Sequence, residues 1–215
     1  MVTSANARAR PDHGSPRRSD PGYVFDFCGG QLAIDFTNTV GDRGSTPVEH
    51  FGTFGDIVAW AEARGVVSRG VASAMRQRAA ADPQAAAGAY RSALALREAL
   101  YNVLAAASSG RRVRPPDLQL VNEHVANTFK HAALAPAGDG FTLETPADAW
   151  LEPVTRPVVR AAVDLLTSDV LTHVGSCADS TCAWLFLDTT RSRTRKWCDM
   201  RSCGNRNKVR RFRTQ

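Results

Sequence analysis

Four cysteines carry the most specific chemistry in this chain. They come in two pairs, Cys177 with Cys182 and Cys198 with Cys203, and four residues separate the members of each pair. A pair at this spacing can curl its backbone round one metal ion, and two pairs supply four thiolates. That is a closed tetrahedral set of the structural kind, with no open position for a substrate. The alternatives are two disulfides or four unrelated buried cysteines. Zinc is preferred because soft thiolates at paired spacing suit it, and because chains kept in a reducing compartment rarely hold disulfides. His173, four residues before Cys177, can replace one thiolate, but four cysteines already suffice.

The residues between the pairs must position them. Trp184-Leu185-Phe186-Leu187-Asp188 is an apolar run, residues 189–193 read as a polar turn, and residues 194–197 form a second run that reaches Cys198. The pattern predicts a β-hairpin between the two pairs. A helical pattern follows Cys203 to about Arg213. Knuckle, hairpin and helix together predict a treble-clef-like finger. So small a unit buries little core. Metal binding must supply its folding energy, on the order of 10–16 kcal/mol in zinc-finger peptides.

Phe186-Leu187-Asp188-Thr189-Thr190-Arg191, Arg195-Lys196-Trp197-Cys198-Asp199-Met200 and above all Cys203-Gly204-Asn205-Arg206 resemble the CGNR zinc-finger family, which is named for those last four residues. The resemblance covers about the last forty residues. It implies that Cys177, Cys182, Cys198 and Cys203 bind one structural Zn2+. Upstream, Leu32-Ala33-Ile34-Asp35-Phe36-Thr37-Asn38-Thr39 resembles the opening of the domain called ABATE, which usually precedes this finger. Members are described as stress-induced transcription regulators. The resemblance therefore implies regulation of transcription and an effector-sensing front domain.

Charge points the same way. Residues 177–215 hold 10 Lys/Arg and 3 Asp/Glu, a net of +7, which leaves −1 for the remainder of a chain whose formal net charge is +6. Such asymmetry suits a polyanionic partner for the finger. At 100° per residue, Arg206, Arg210 and Arg213 fall within about 60° of one another on the terminal helix. Val209 and Phe212 form a separate stripe, predicted to pack on the hairpin and leave the arginines outward. Arg191, Arg193, Arg195 and Lys196 extend the same basic surface. A zinc ion with four thiolates carries −2, and one or two arginines can neutralise it, but ten basic residues exceed that need. Two other classes compete. One is a protein-interaction module whose finger is only a scaffold. The other is an RNA-binding accessory factor in which Trp184, Trp197 and Phe212 stack bases, although all three also suit the core of so small a finger.

At 215 residues, 43% hydrophobic and 22% charged, the chain suits one medium domain and a small module. The predicted class is α+β: a mostly helical front domain over 21–173 with small β-hairpins, then the finger over 174–215. Residues 1–20, rich in Ala, Arg, Ser and Pro, are predicted to be disordered. Arg17-Arg18 lacks the apolar stretch of an export signal, and no run is long enough to span a bilayer. A cytoplasmic protein is expected.

Within the front domain, residues 23–27 and 31–39 alternate and read as two strands of a hairpin, with Leu32, Ile34 and Phe36 on one face. Cys28 reads as a small buried hydrophobe distant from the finger. Residues 41–52 read as loop; Gly41 to Thr46 lacks the lysine and spacing of a phosphate-binding loop. Helices are predicted over 54–63 capped by Thr53, from Ser68 to about 80, from Asp82-Pro83 to about 107, over 117–127, and from Val154 or Pro157 to about His173. Leu118, Val121, Asn122 and Val125 are taken as inward, as are Leu165, Leu166 and Val170. A hairpin is predicted from 129–134 and 140–144.

Asp35, Asn38 and Arg97 are polar residues on otherwise apolar elements. Local hydrogen bonding, capping or snorkelling would explain each. The functional reading places all three around one effector pocket. No nucleophile motif, histidine pair or cofactor loop is present in the sequence, so an enzyme is not expected. The expected partners are nucleic acid at the finger, duplex DNA first, a small-molecule or protein effector at the front domain, a second copy in a homodimer, and no membrane.

Overall fold

A computed structural model describes residues 24–130, 132–144 and 152–213. The disorder expected for residues 1–20 lies outside the described residues. The class is α+β, with helices and three two-stranded antiparallel hairpins. Among the described residues no helix is long and apolar enough to cross a membrane.

The first element departs from expectation. Leu32–Thr37 is a helix, α1, and residues 24–27 are not a strand. Gln31 caps it: its side-chain oxygen accepts from the amides of Ala33 and Ile34, and its amide group donates to the carbonyl of Ala161. Every residue from Ala33 to Thr37 is buried. A helix enclosed on all sides shows no amphipathic period, so a short apolar run reads equally well as a strand. Its polar groups are answered in place. Thr37 and Thr39 donate to the carbonyls of Ile34 and Phe36 at 2.9 and 2.8 Å. Asp35 accepts from the amide of Gly29 at 2.9 Å and from Arg64 at 2.8 Å.

Next in the chain come α2 (Phe54–Arg64), α3 (Arg69–Ala81), α4 (Pro83–Ser108), α5 (Pro115–Phe129) and α6 (Glu152–Leu166). Helices α4 and α6 pack on α1, α2 and α3 pack on each other and on α4, and α5 packs on α4 and α6. The expected starts hold. Thr53 donates backbone and hydroxyl hydrogens to Asp56, Ser68 accepts from Val71, and Asp82 accepts from Ala85 with Pro83 in the first turn. Gly65 ends α2 at φ +77°, a conformation glycine adopts without strain. Phe36, Phe51, Trp60, Leu96 and Leu100 are fully buried at the centre.

Helix α5 packs through Val121 and Thr128, so Leu118 and Asn122 are exposed rather than inward. Helix α6 stops at Leu166, and a 3-10 turn, Asp169–His173, follows with Val170 exposed. Two hairpins interrupt the helices. Strands β1 (Val40–Gly41) and β2 (Val48–Glu49) pair inside what reads as loop. Strands β3 (Ala133–Ala137) and β4 (Gly140–Glu144) pair across Gly138-Asp139, and Phe129 belongs to α5.

Strand β5 (Val174–Ser176) pairs with β6 (Leu185–Leu187), so the cysteine-rich segment's hairpin partner lies before Cys177 and not at residues 194–197. Residues 194–197 form no strand; the amide of Arg195 donates to the Asp188 carboxylate and its guanidinium to nearby carbonyls. Val174 and Leu185 share one apolar cluster with Ile34, Leu104 and Leu165. The finger is thus seated on α1, α4 and α6.

Burial raises the Asp35 carboxyl to about 6 from its ordinary 3.8, outweighing the Arg64 guanidinium beside it. Between those values the folded chain keeps a proton that the unfolded chain has lost. This group's contribution to stability is therefore fully present below about pH 4 and is lost as pH rises toward about 6. Asp35→Asn cannot ionise and should flatten that fall. Urea-unfolding free energies from about pH 4 to about pH 7 measure it, and equal slopes for the two proteins would refute the assignment.

Candidate metal centre

The four sulfurs of Cys177, Cys182, Cys198 and Cys203 all lie within 4.8 Å of one another, and all four residues are buried. The Cys182–Cys198 and Cys198–Cys203 sulfurs are each 3.6 Å apart. A zinc ion with bonds of about 2.3 Å to sulfur demands tetrahedron edges of about 3.8 Å. Disulfides demand about 2.05 Å, and every cysteine here is free. The donor set fits zinc on chemistry as well. Hydrogen bonds from its three neighbours push the Cys177 thiol far down, while contact with the resulting anion pushes those of Cys182 and Cys198 far up. One thiolate forms readily and the next are opposed by it; a dication among them removes that opposition. His173 is not in the cluster.

Two knuckles of similar build present the sulfurs. In the first, the Asp179 carboxylate accepts from the backbone and hydroxyl of Thr181, and the amide of Cys182 donates to the carbonyl of Asp179. In the second, Asp199 accepts from the amide of Arg201, and the amide of Gly204 donates to the carbonyl of Asp199. The amide of Ala178 donates to the carbonyl of Lys196 and ties one knuckle to the other. A π-helical turn, Met200–Gly204, leads into helix α7, Asn205–Arg213.

The residues of the motif divide the work. Cys203 supplies a sulfur. A Cβ on Gly204 would lie 2.8 Å from the sulfur of Met200, so only glycine fits without a shift. Asn205 donates to the carbonyl of Arg201 at 3.2 Å. Arg206 donates to the hydroxyl of Thr181 at 3.2 Å and lies 3.7 Å from Asp179. Asp179 is the residue the sequence reading missed. Its side chain is 0% exposed and also meets Arg210 at 3.4 Å and Asn207 at 2.8 Å. A carboxylate two residues after a ligand cysteine, facing arginines on the following helix, was the available signal.

This reverses the expected orientation of α7. Arg206 and Arg210 turn inward to Asp179, while Val209 and Phe212 are 50% and 83% exposed. Arg195 is also structural. It donates to the carbonyls of Leu187, Trp197, Cys28 and Cys198, and its guanidinium lies 4.4 Å from the Phe186 ring centre. Arg193 donates to the carbonyl of Asp188 at 2.8 Å and remains on the surface with Arg191, Lys196 and Arg213. Trp184 is buried and donates to the carbonyl of Val40 at 2.6 Å. Cys28 is not distant from the finger: it packs against the cysteine cluster.

The three polar residues of the front domain are not brought together. Asp35 is held by Gly29 and Arg64. Asn38 is bonded twice to the backbone of Leu185, donating at 2.8 Å and accepting at 3.1 Å. Arg97 pairs with both oxygens of Glu49 at 2.6 Å and with Glu98 at 2.9 Å. A cleft beside Arg97 is lined by Glu49, Glu98 and Arg43 but by neither Asp35 nor Asn38.

Two substitutions test the centre. Cys203→Ser should lose the metal and loosen the finger while the front helices persist; stoichiometric zinc in a Cys198→Ser, Cys203→Ser protein would sink the ligand assignment. Asp179→Ala should keep zinc but release α7, at a cost on the order of 2 kcal/mol for charge-assisted bonds that are partly exposed. Amide hydrogen exchange across α7 reads this directly, and unchanged protection there would contradict it.

Residues 30–169 match the ABATE family model, described as "Putative stress-induced transcription regulator", and residues 173–215 match the CGNR zinc finger. No curated protein matches the chain. With more than half of its length matched, the chain belongs to the ABATE family and carries a CGNR zinc finger that fits one structural Zn2+.

Proposed function

We propose that this protein is a transcription regulator rather than an enzyme, that its finger binds nucleic acid with duplex DNA as the leading target, and that its front domain receives an effector. The observation that carries the reading is the outer surface of the finger. Helix α7 has no acidic residue, and Lys208, Arg211 and Arg213 on it are exposed, while Arg206 and the half-exposed Arg210 reach to Asp179. Arg191 and Lys196 are exposed in the segment between the knuckles. Arginine suits bidentate contact with phosphate and with guanine edges. The contact set therefore gains Lys208 and Arg211, which lie on the other side of α7 from Arg206, and keeps Arg213.

Phe212 favours a second reading, single-stranded nucleic acid. An aromatic ring 83% exposed between two arginines is a platform on which an unpaired base can stack, at about 1–3 kcal/mol per base. Self-association through the same face would set like charges against each other.

The full-length, zinc-loaded protein should bind labelled duplex, single strand or structured RNA with log affinity falling linearly in log salt, at about 0.9 per neutralised phosphate on a duplex. Changing Lys208, Arg211 and Arg213 together to Ala should flatten that slope and leave zinc content unchanged. Phe212→Ala should weaken single-strand binding about tenfold without altering the slope. If no polymer binds at low ionic strength, the finger is a structural or protein-binding module.

A further inference from the structure

A cavity of about 420 Å³ lies between α4, α5 and α6, away from the metal centre and from Asp35, Asn38 and Arg97. Its size suits a small molecule. Its floor is the face of α4 formed by Ala85, Gly88 and Ala89. Glycine inside a helix costs about 0.5–1 kcal/mol relative to alanine. Packing does not demand this one, because a Cβ added at Gly88 would meet nothing within 4 Å. Its effect is to keep the floor open and flat.

The α5 wall presents His124, Asn127 and Thr128, spaced to share one helix face. Thr128 is only 4% exposed. Among the described residues none of these three side chains has a hydrogen-bond partner. Thr128 is buried, His124 half-buried and Asn127 exposed, and with no such partner each is free to bond a ligand seated in the cavity. Burial holds the His124 imidazole below its ordinary value, which leaves it neutral near pH 7, with one nitrogen donating and the other accepting. On the α6 wall Arg156 and Glu152 pair at 2.7 Å and cancel each other's charge. The lining thus offers mixed donors and acceptors with no net charge, over a flat apolar floor. A second anion beside Glu152, or a second cation beside Arg156, would enter a half-enclosed site with its charge unmatched.

We propose that this cavity binds a small, uncharged, planar heterocycle with adjacent hydrogen-bond donor and acceptor groups, the chemistry of a nucleobase or a heteroaromatic amide. An Asn amide matches such an edge in a bidentate way, as it does on adenine. The ring lies on Ala85, Gly88 and Ala89 and turns its polar edge to α5. The inference rests on the effector reading above, for which it supplies a site and a ligand class.

Adenine and nicotinamide are the probes, with nicotinate as the charged isostere of nicotinamide. Ligand-observed NMR and calorimetric titration on the full-length, zinc-loaded protein give the affinities. At least one neutral probe should bind saturably, and nicotinate should bind about tenfold more weakly than nicotinamide or not at all. Gly88→Leu, which puts a side chain into the cavity, should abolish binding with the melting temperature kept. Asn127→Ala should lower affinity about tenfold or more and serves as the second variant should Gly88→Leu fold poorly. Failure of both neutral probes to bind, equal binding by nicotinate, or undiminished binding in the variants would each overturn the proposal. Binding that leaves nucleic-acid affinity unchanged would instead keep the site and overturn its role as the effector site.

Discussion

A zinc ion held by four thiolates keeps a net charge of −2 in a place from which water is largely excluded, and the finger is arranged around answering that charge. Asp179, buried beside the first knuckle, adds another negative charge. Three arginines turn toward the region. Arg195 wraps the second knuckle through carbonyls on both sides of it, and Arg206 and Arg210 reach Asp179 from α7. The unit has little apolar core of its own beyond Trp184, Phe186 and the cysteines, so this electrostatic closure does what a larger domain does with hydrophobic burial.

The orientation of α7 follows. A short helix with five cations and two large apolar residues has two candidate inner faces. Packing arguments favour Val209 and Phe212; charge favours Arg206 and Arg210. Charge prevails because Asp179 is completely enclosed, and an enclosed carboxylate without a cation costs more than an exposed Val and Phe. The apolar pair is left on the surface among Lys208, Arg211 and Arg213. An exposed aromatic set among cations is chemically different from a purely basic face, because it offers a flat apolar surface beside the charges.

Sequence patterns located what depends on neighbours in the chain. Caps at Thr53, Ser68 and Asp82 are local hydrogen bonds, and the cysteine pairs are local loops, so their spacing carries the structure with it. What depended on enclosure was hidden. The run from Leu32 to Thr37 alternates like a strand, yet it is a helix because all its sides are covered, and coverage is supplied by α4, α6 and β6. The partner of β6 was misplaced for a similar reason: residues 194–197 have strand-like composition, but Arg195 spends its hydrogen bonds on carbonyls across the knuckle, and β5 takes the ladder. Asn38 and Arg97 looked like ligand-binding residues because they are polar and buried. They are polar because backbone and carboxylate groups from distant segments end beside them, which no local pattern records.

Those distant contacts also fix how the finger sits on the front domain. Asn38 closes two hydrogen bonds on Leu185, Tyr101 donates to the carbonyl of Ala183 at 2.8 Å, and the amide of Leu187 donates to the carbonyl of Gly29 at 2.8 Å. Gly44 approaches so closely that a Cβ there would sit 2.2 Å from the carbonyl oxygen of Ser180. These bonds run largely to the finger's backbone, so they fix its position whatever side chains its surface carries. A finger on a loose tether can turn any face to a partner. A seated one presents what its seat leaves uncovered, which includes the outer side of α7 and the exposed Arg191, Arg193 and Lys196. The same seating puts α4 in contact with the finger through Tyr101 and Leu104, while its first turns form the floor of the cavity. One continuous helix of 26 residues therefore borders both surfaces, and any force that shifts it is felt at the base of the finger as well as at the cavity.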